Sequence, residues 1–293
     1  MAPGTKGFIS VLHAATASRP DEIDTVLAAE AVTLALRELG YAAEIVGLMP
    51  DLGGLDALPS RRPLVVFNLV DAVNGDGRLA PMVPARLDAL GLRYTGACTT
   101  AWLDTLSKVG TKLKLAHEGL PTPVWSEDGR WPNGDDGVDA AAKVIVKPVW
   151  EHGSLGMDDT SVMPAAAARQ AIAERTARWQ TEHFAEGFVE GREFNVSLLA
   201  CNDGVQVLPI AEIVFEGFAD AAKIVGYDAK WAPDSPAFTA RRAASVWNGP
   251  SPGLPRCCPA TRAPAGPCSA SRAMRASISE SMRPGNRSSS RST

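Results

Sequence analysis

Residues Val144–Met157 read VIVKPVWEHGSLGM, and this stretch sets the reading of the whole chain. Val144–Lys147 is a short β-branched run of strand character. Lys147 ends it, Pro148 stiffens the exit, and Gly153-Ser154-Leu155-Gly156 forms a glycine-rich loop just beyond. Polyphosphate binding needs such a pairing: a fixed positive charge beside backbone N–H groups that can approach anionic oxygens closely. The plainer alternative is a surface lysine at a strand end beside an ordinary turn. No GxxxxGK[ST] occurs, so this is not a Walker A loop.

Upstream, strand and helix alternate. Gly7–His13 reads as a strand, and Asp24–Leu39 as a helix with a broad apolar stripe that Gly40 stops. Ala42–Leu48 and Leu64–Leu69 are short apolar runs of strand length, and Arg93–Thr95 is a brief third one. A second helix runs through Ala89 to its stop at Gly91. Uninterrupted apolar strands separated by a helix predict a parallel sheet covered on both faces. A further helix around Thr111–Glu118 closes at Gly119, and Ser126–Gly137 is a polar surface loop.

Downstream, Ala165–Gln180 is helical. His183–Glu190, Phe194–Cys201 and Val205–Ile213 read as three strands, with Asn202-Asp203-Gly204 as a hairpin turn. Glu186 and Glu193 flank a short apolar stretch where two of these strands join. They are either acceptors for an amine and hydroxyl groups or solvated edge charges. Val225–Trp231 (VGYDAKW) is dense enough in Tyr, Lys and Trp to cover a site, or else forms an amphipathic hairpin surface.

Composition narrows the class. The chain has 293 residues, 45% hydrophobic and 21% charged, and a net charge of −4. That is a globular balance, with no basic excess for nucleic acid and no apolar run long enough for a membrane span. The amino terminus lacks a signal-like pattern, which makes the cytoplasm the expected address. The four histidines form no HxxxH or HExxH, and His152 alone adjoins a candidate site. Cys257, Cys258 and Cys268 have no companion histidine at zinc spacing, so no metal ligands are assigned.

Taken in order, VIVKPVWEHGSLGM, FAEGFVEGREFNV, VLPIAEI and IVGYDAKW resemble the ATP-grasp fold of the D-alanine–D-alanine ligase family. SKVGTKLKLAHEGLPTP and FNLVDAVNGDGRLAPMVPARLDALGLRYTG resemble that family's preceding segments, and together the likeness spans residues 7–243. It implies an α/β (α+β) fold: a Rossmann-like parallel-sheet domain over residues 1–97, a small ATP-grasp subdomain over 98–180, and the start of a larger one over 181–243.

The resemblance also implies roles. Lys108 and Lys147 would contact ATP phosphates, beneath a loop containing Gly153 and Ser154. Glu186 and Val189 would hold the adenine and Glu193 the ribose. Lys230 would reach the γ-phosphate or a substrate carboxylate, with Trp231 where the family usually has Tyr. The amine-binding glutamate has no clean match, and Glu22 and Asp24 are the neighbouring candidates. The loop reads EHGS where typical members have EGSS. The implied reaction is ligation of small amino-acid substrates through an acyl phosphate, with ATP and Mg²⁺ as cofactors and a homodimer as the family habit. The alternatives are a ligase for a different amino acid or peptide, or a nucleotide-binding remnant without catalysis.

Residues 244–293 do not fit such an enzyme. They hold seven Arg against one Glu, a charge of +6, which leaves −10 for the residues before them. Ser, Pro, Arg and Ala dominate after Trp247, a composition too poor in apolar side chains to offset the cost of ordering. After Trp231 the acids are Asp234 and Glu280, so the family's late Asp and Glu-x-Asn for Mg²⁺ have no counterpart. Read one nucleotide out of frame, Ala265–Gly285 is compatible with WALFGLAGYARVDFRVDEAG and Arg287–Thr293 with PFVLEVN. Ala244–Trp247 permits FGLE in the same frame. These are the missing blocks in order, which points to a frameshift between Phe238 and Ala244 and an aberrant tail.

Overall fold

The computed structural model describes residues 5–15, 19–131, 138–201, 204–216 and 222–245. The last 48 positions, which hold most of the expected aberrant tail, lie outside the described residues. The amino-terminal unit comprises β1 (Phe8–Ala14), α1 (Pro20–Glu38), β2 (Ala42–Leu48), the single turn α2 (Leu58–Arg61), β3 (Val65–Asn68) and α3 (Met82–Ala89). β1 lies between β2 and β3, parallel to both. Its alternate residues serve opposite faces. Ile9 and Val11 meet Ala29, Val32 and Leu36 of α1, whereas Leu12 joins Leu55, Leu58, Val66, Val83 and Leu87. The sheet is therefore covered on both sides, as is usual for parallel strands.

Pro20 begins α1, where its fixed φ suits a helix and its missing N–H has no partner to lose. Gly40, at φ +88°, supplies the left-handed stop. The expected strand at Arg93–Thr95 is reduced to one parallel bridge between Val66 and Tyr94.

α4 (Thr99–Thr105) and α5 (Lys108–His117) lead into an antiparallel sheet of β4 (Trp125–Ser126), β5 (Lys143–Pro148), β6 (Val162–Pro164) and β7 (His183–Gly187), with α6 (Ala168–Trp179) crossing before β7. Its strand order is β4-β7-β5-β6. Val144, Val146 and Ala185 pack against Ala168 and Ile172 of α6. On the other face Phe184 packs with Val109 of α5 and with Val149.

The remaining strands are β8 (Glu193–Asn195), β9 (Leu198–Cys201), β10 (Gly204–Val207), β11 (Ala211–Phe215) and β12 (Arg241–Ser245), with α7 (Tyr227–Trp231) and α8 (Pro236–Thr239) before the last. β9 and β10 pair antiparallel, placing the expected hairpin at Cys201 and Gly204. The two long strands read from the sequence are each broken. Pro209 has no N–H to donate to a ladder, and the segment 208–210 separates β10 from β11. β11 then pairs with β8 and β12. Phe194, Val196, Leu198 and Leu199 are exposed along this part of the chain. Among the described residues no helix is long and apolar enough to cross a membrane.

Candidate functional site

Antiparallel register assembles the first half of the site. Ile145 faces Glu186 and Lys147 faces Phe184, so Lys147 and Glu186 are diagonal neighbours on the face turned to α5. Lys147 Nζ donates to Glu186 Oε1 at 2.5 Å. Lys112 Nζ, from α5, lies 2.6 Å from Glu186 Oε2. Burial pushes the Glu186 carboxyl up, but Lys147 and Lys112 outweigh it and hold the group below its ordinary value.

Lys108 stands at the first turn of α5, where Ser107 caps the helix by accepting from Gly110 N–H at 3.1 Å. Lys108 Nζ donates to the carbonyl oxygen of Pro148 at 2.9 Å and to that of Glu151. Burial, reinforced by Lys147, lowers its pKa to about 8. Lys108, Lys112, Thr105, Thr111, His152, Phe184 and Glu186 line one pocket of about 330 Å³. His152 Nε2 lies 2.9 Å from the Leu106 carbonyl, which only accepts, so that nitrogen carries a proton. Burial, then Lys108, lowers the pKa of this ring.

The glycine loop is strapped from outside by α7. Ser154 is buried at φ +63°, and its Oγ donates to the Val225 carbonyl at 2.8 Å. Trp231 Nε1 donates to the Gly153 carbonyl at 2.8 Å, and Tyr227 N–H to that of Met157 at 2.9 Å. Gly226 is required by this contact, because a Cβ there would meet Met157 O at 2.9 Å. Val225–Trp231 is thus a short helix over the loop, not a hairpin surface. Lys230 Nζ lies 3.4 Å from the His152 carbonyl at the exposed rim.

Beyond the loop sits the head of α1. Tyr227 Oη donates to Asp21 Oδ1 at 3.2 Å, and Arg19 donates to both Asp21 oxygens. Arg19 also lies 3.3 Å from Glu22. Asp71 and Glu151 both have raised pKa values: burial is the main cause, and Asp21 adds to each.

Of the residues named from the sequence, the structure brings Lys108, Lys147 and Glu186 into one cluster and sets Lys230 and Trp231 of α7 against the loop of Gly153 and Ser154. Glu22 lies beside Arg19 near Gly75. Asp24 is exposed and joins none of these contacts. Val189 is 71% exposed and Glu193 is exposed on β8, in the chain leaving β7. Sequence reasoning missed Lys112 and Asp21, and named Tyr227 only as part of a site-covering stretch. Lys112 is one helical turn from Lys108, a spacing that would have placed both on one face. Among the described residues no group of three or more His, Cys, Asp or Glu is placed to hold a metal ion.

Residues 139–245 match the family model described as D-ala D-ala ligase C-terminus. The uncharacterized protein y4sG of Sinorhizobium fredii is 32% identical over 211 residues, 69% of this chain and 60% of that protein. The D-alanine–D-alanine ligase of Chromohalobacter salexigens is 34% identical over 186 residues, 62% of this chain and 54% of that enzyme. The chain therefore spans between 54% and 60% of the length of these two relatives. In fold it is similar to the D-alanine–D-alanine ligase of Bacillus anthracis complexed with ATP, with a TM-score of 0.55 at 17% identity, covering 83% of this chain and 72% of that one.

Proposed function

We propose that this D-alanine–D-alanine ligase-like chain of ATP-grasp fold derives from an ATP-dependent ligase joining the carboxylate of one amino acid to the amine of another. The observation that carries the reading is a pocket lined by Lys108, His152 and Glu186, with Lys147 donating to Glu186 from β5. ATP phosphates would lie against Lys108 and Lys147, with Gly153 and Ser154 folding over them. Glu186 would accept from the adenine amine, Val189 would flank the ring at the hinge and Glu193 would receive the ribose. A lobe built on β4–β7 and the start of a second from β8 onward would flank the nucleotide, the division read at residue 180 moving past β7, which pairs with β4 and β5.

In the first step a carboxylate oxygen attacks the γ-phosphorus and the bond to the ADP oxygen breaks, leaving an acyl phosphate and ADP. The second substrate's amine then attacks the acyl carbon, loses a proton, and phosphate departs. Lys108, Lys147 and Lys230 would neutralise charge on the phosphoryl oxygens, which is where such catalysis gains most. The acidic group at the head of α1, with Asp21 and Glu22, would hold the first substrate's ammonium, while Trp231 fixes the Gly153 carbonyl beside it. A cytoplasmic homodimer is part of the same reading.

Magnesium belongs to the resemblance as well, but the described residues do not fit it. They hold no carboxylate cluster of the kind it needs, and Asp234 is the only acid among them after Trp231. No step is routed through a metal here. That absence favours a second reading for the chain as it stands: a nucleotide-binding remnant whose turnover returns when the frame is restored near Phe238–Ala244. Phosphate release with ATP, Mg²⁺ and D-alanine tests both. The restored chain should turn over and the present chain should not. Turnover by the present chain removes the remnant reading, and silence from a restored, folded chain removes the ligase reading.

A further inference from the structure

We infer that Lys112 is a positioning residue that fixes one oxygen of Glu186 so that the other selects an adenine over a 6-oxo purine. The inference rests on the nucleotide reading above and adds to it a residue that reading does not use.

The two lysines that grip Glu186 are not equivalent. Lys112 is 5% exposed, and its Nζ lies 2.6 Å from Glu186 Oε2, 2.7 Å from Thr122 Oγ1 and 2.9 Å from the Pro123 carbonyl. An ammonium has three donors, so all three are spent. The same Nζ sits 5.3 Å from the centroid of Trp125, whose β4 neighbours Glu186 on β7. Lys112 is thus anchored by two groups outside the carboxylate and has no donor left for a ligand. Lys147 is different: its side chain is 26% exposed and donates to Glu186 Oε1 alone among the bonds described.

A phosphate arriving at the pocket can draw Lys147 away, because that lysine has donors to spare and a solvated path. Lys112 stays. Glu186 then keeps Oε2 on Lys112 and presents Oε1 as a bare acceptor. The charges facing it are Lys112 and Lys108 from α5 and Lys147 from β5. A 6-amino purine donates to such an oxygen. A 6-oxo purine would set lone pair against lone pair, and an unpaired buried acceptor is costly.

Competition binding of ATP and ITP to the full chain, each with Mg²⁺, tests this. Wild type should prefer ATP by about tenfold or more, the scale of one charged hydrogen bond. Lys112→Met should lower ATP affinity about tenfold and change ITP by less than about twofold. Thr122→Val removes one anchor without altering charge and should lower the ATP-to-ITP ratio about threefold; it carries the test if Lys112→Met does not fold. Equal losses for the two nucleotides, or an unchanged ratio in both variants, overturn the role of Lys112 and leave the nucleotide site standing. A wild-type chain that binds neither nucleotide overturns the nucleotide reading and this inference with it.

Discussion

Tyr227 Oη donates to Asp21 Oδ1 at 3.2 Å across 206 positions of sequence, and this contact ties the head of α1 to the helix that covers the glycine loop. A hydrogen bond to a charged acceptor is worth about 1.5–3 kcal/mol. Tyr227→Phe should therefore loosen α7 locally, with amide exchange across Tyr227–Trp231 rising about tenfold or more while β1–β3 stay protected. Hydrogen-exchange mass spectrometry reads this directly. Unchanged exchange in α7 would mean that its docking depends on Trp231 and Ser154 alone.

Lys108 gives a pH dependence with a definite sign. Its pKa falls from 10.5 to about 8 on folding, chiefly by burial. Between those values the unfolded chain binds more protons, so the penalty is fully present below about 8 and fades as pH rises towards 10.5. Nucleotide affinity should run the other way, falling as pH rises through about 8 and the ammonium is lost. Titrating ATP from pH 7 to 9 checks it, and Lys108→Met should flatten the profile. The same slope in wild type and variant would move the effect to another group.

Glu186 governs the acid side. Its pKa is depressed by Lys147 and Lys112 against burial, so its contribution is present above 4.5 and lost as pH falls through the lower folded value. Glu186→Ala leaves Lys112 buried without its carboxylate. Breaking a buried pair in this way costs about 3–5 kcal/mol. Urea unfolding at pH 7 and pH 3.5 should show a large loss for the variant at the first pH and a smaller one at the second. Equal losses at both would contradict an ionised Glu186.

Two glycines should respond oppositely. Gly226→Ala drives a Cβ to 2.9 Å from Met157 O, a backbone atom that cannot turn aside, and should cost about 1–3 kcal/mol. Gly153 is open by comparison: a Cβ there would lie 3.8 Å from Asp21 Oδ2 and 4.0 Å from Trp231 Nε1. Gly153→Ser should leave stability within about 0.5 kcal/mol. Thermal melts of the two variants compare them, and a destabilised Gly153→Ser chain would show that the loop is tighter than it looks.

The parallel sheet was legible because β1, β2 and β3 are short, mostly apolar runs separated by helix, and their ends fall within one or two residues of the structure. The break after Asn195 was not, since Phe194, Val196 and Leu198 keep alternating through it, whereas Pro209 was a visible sign of the break after Val207. Lys147 and Glu186 were singled out by their place at strand ends and Lys108 by resemblance, and the three fall together. Lys112 shares a helix face with Lys108, but its burial was not legible, because it is created by Thr122, Pro123 and Trp125, which follow it in the chain. Asp21 was not among the candidates at the head of α1 for a related reason. Periodicity orients α1 against its own sheet, whereas the contact with Asp21 is made by Tyr227, far along the chain.

The lysine–glutamate pocket between α5 and the antiparallel sheet is the proposed nucleotide site. Equilibrium binding of ATP with Mg²⁺ to the purified chain, beside Lys147→Met, tests it most directly. The account predicts saturable binding by the wild-type chain and a loss of about tenfold or more in the variant, the scale of one charge-assisted phosphate contact. Absence of binding by a folded wild-type chain, or equal affinity in Lys147→Met, would contradict it.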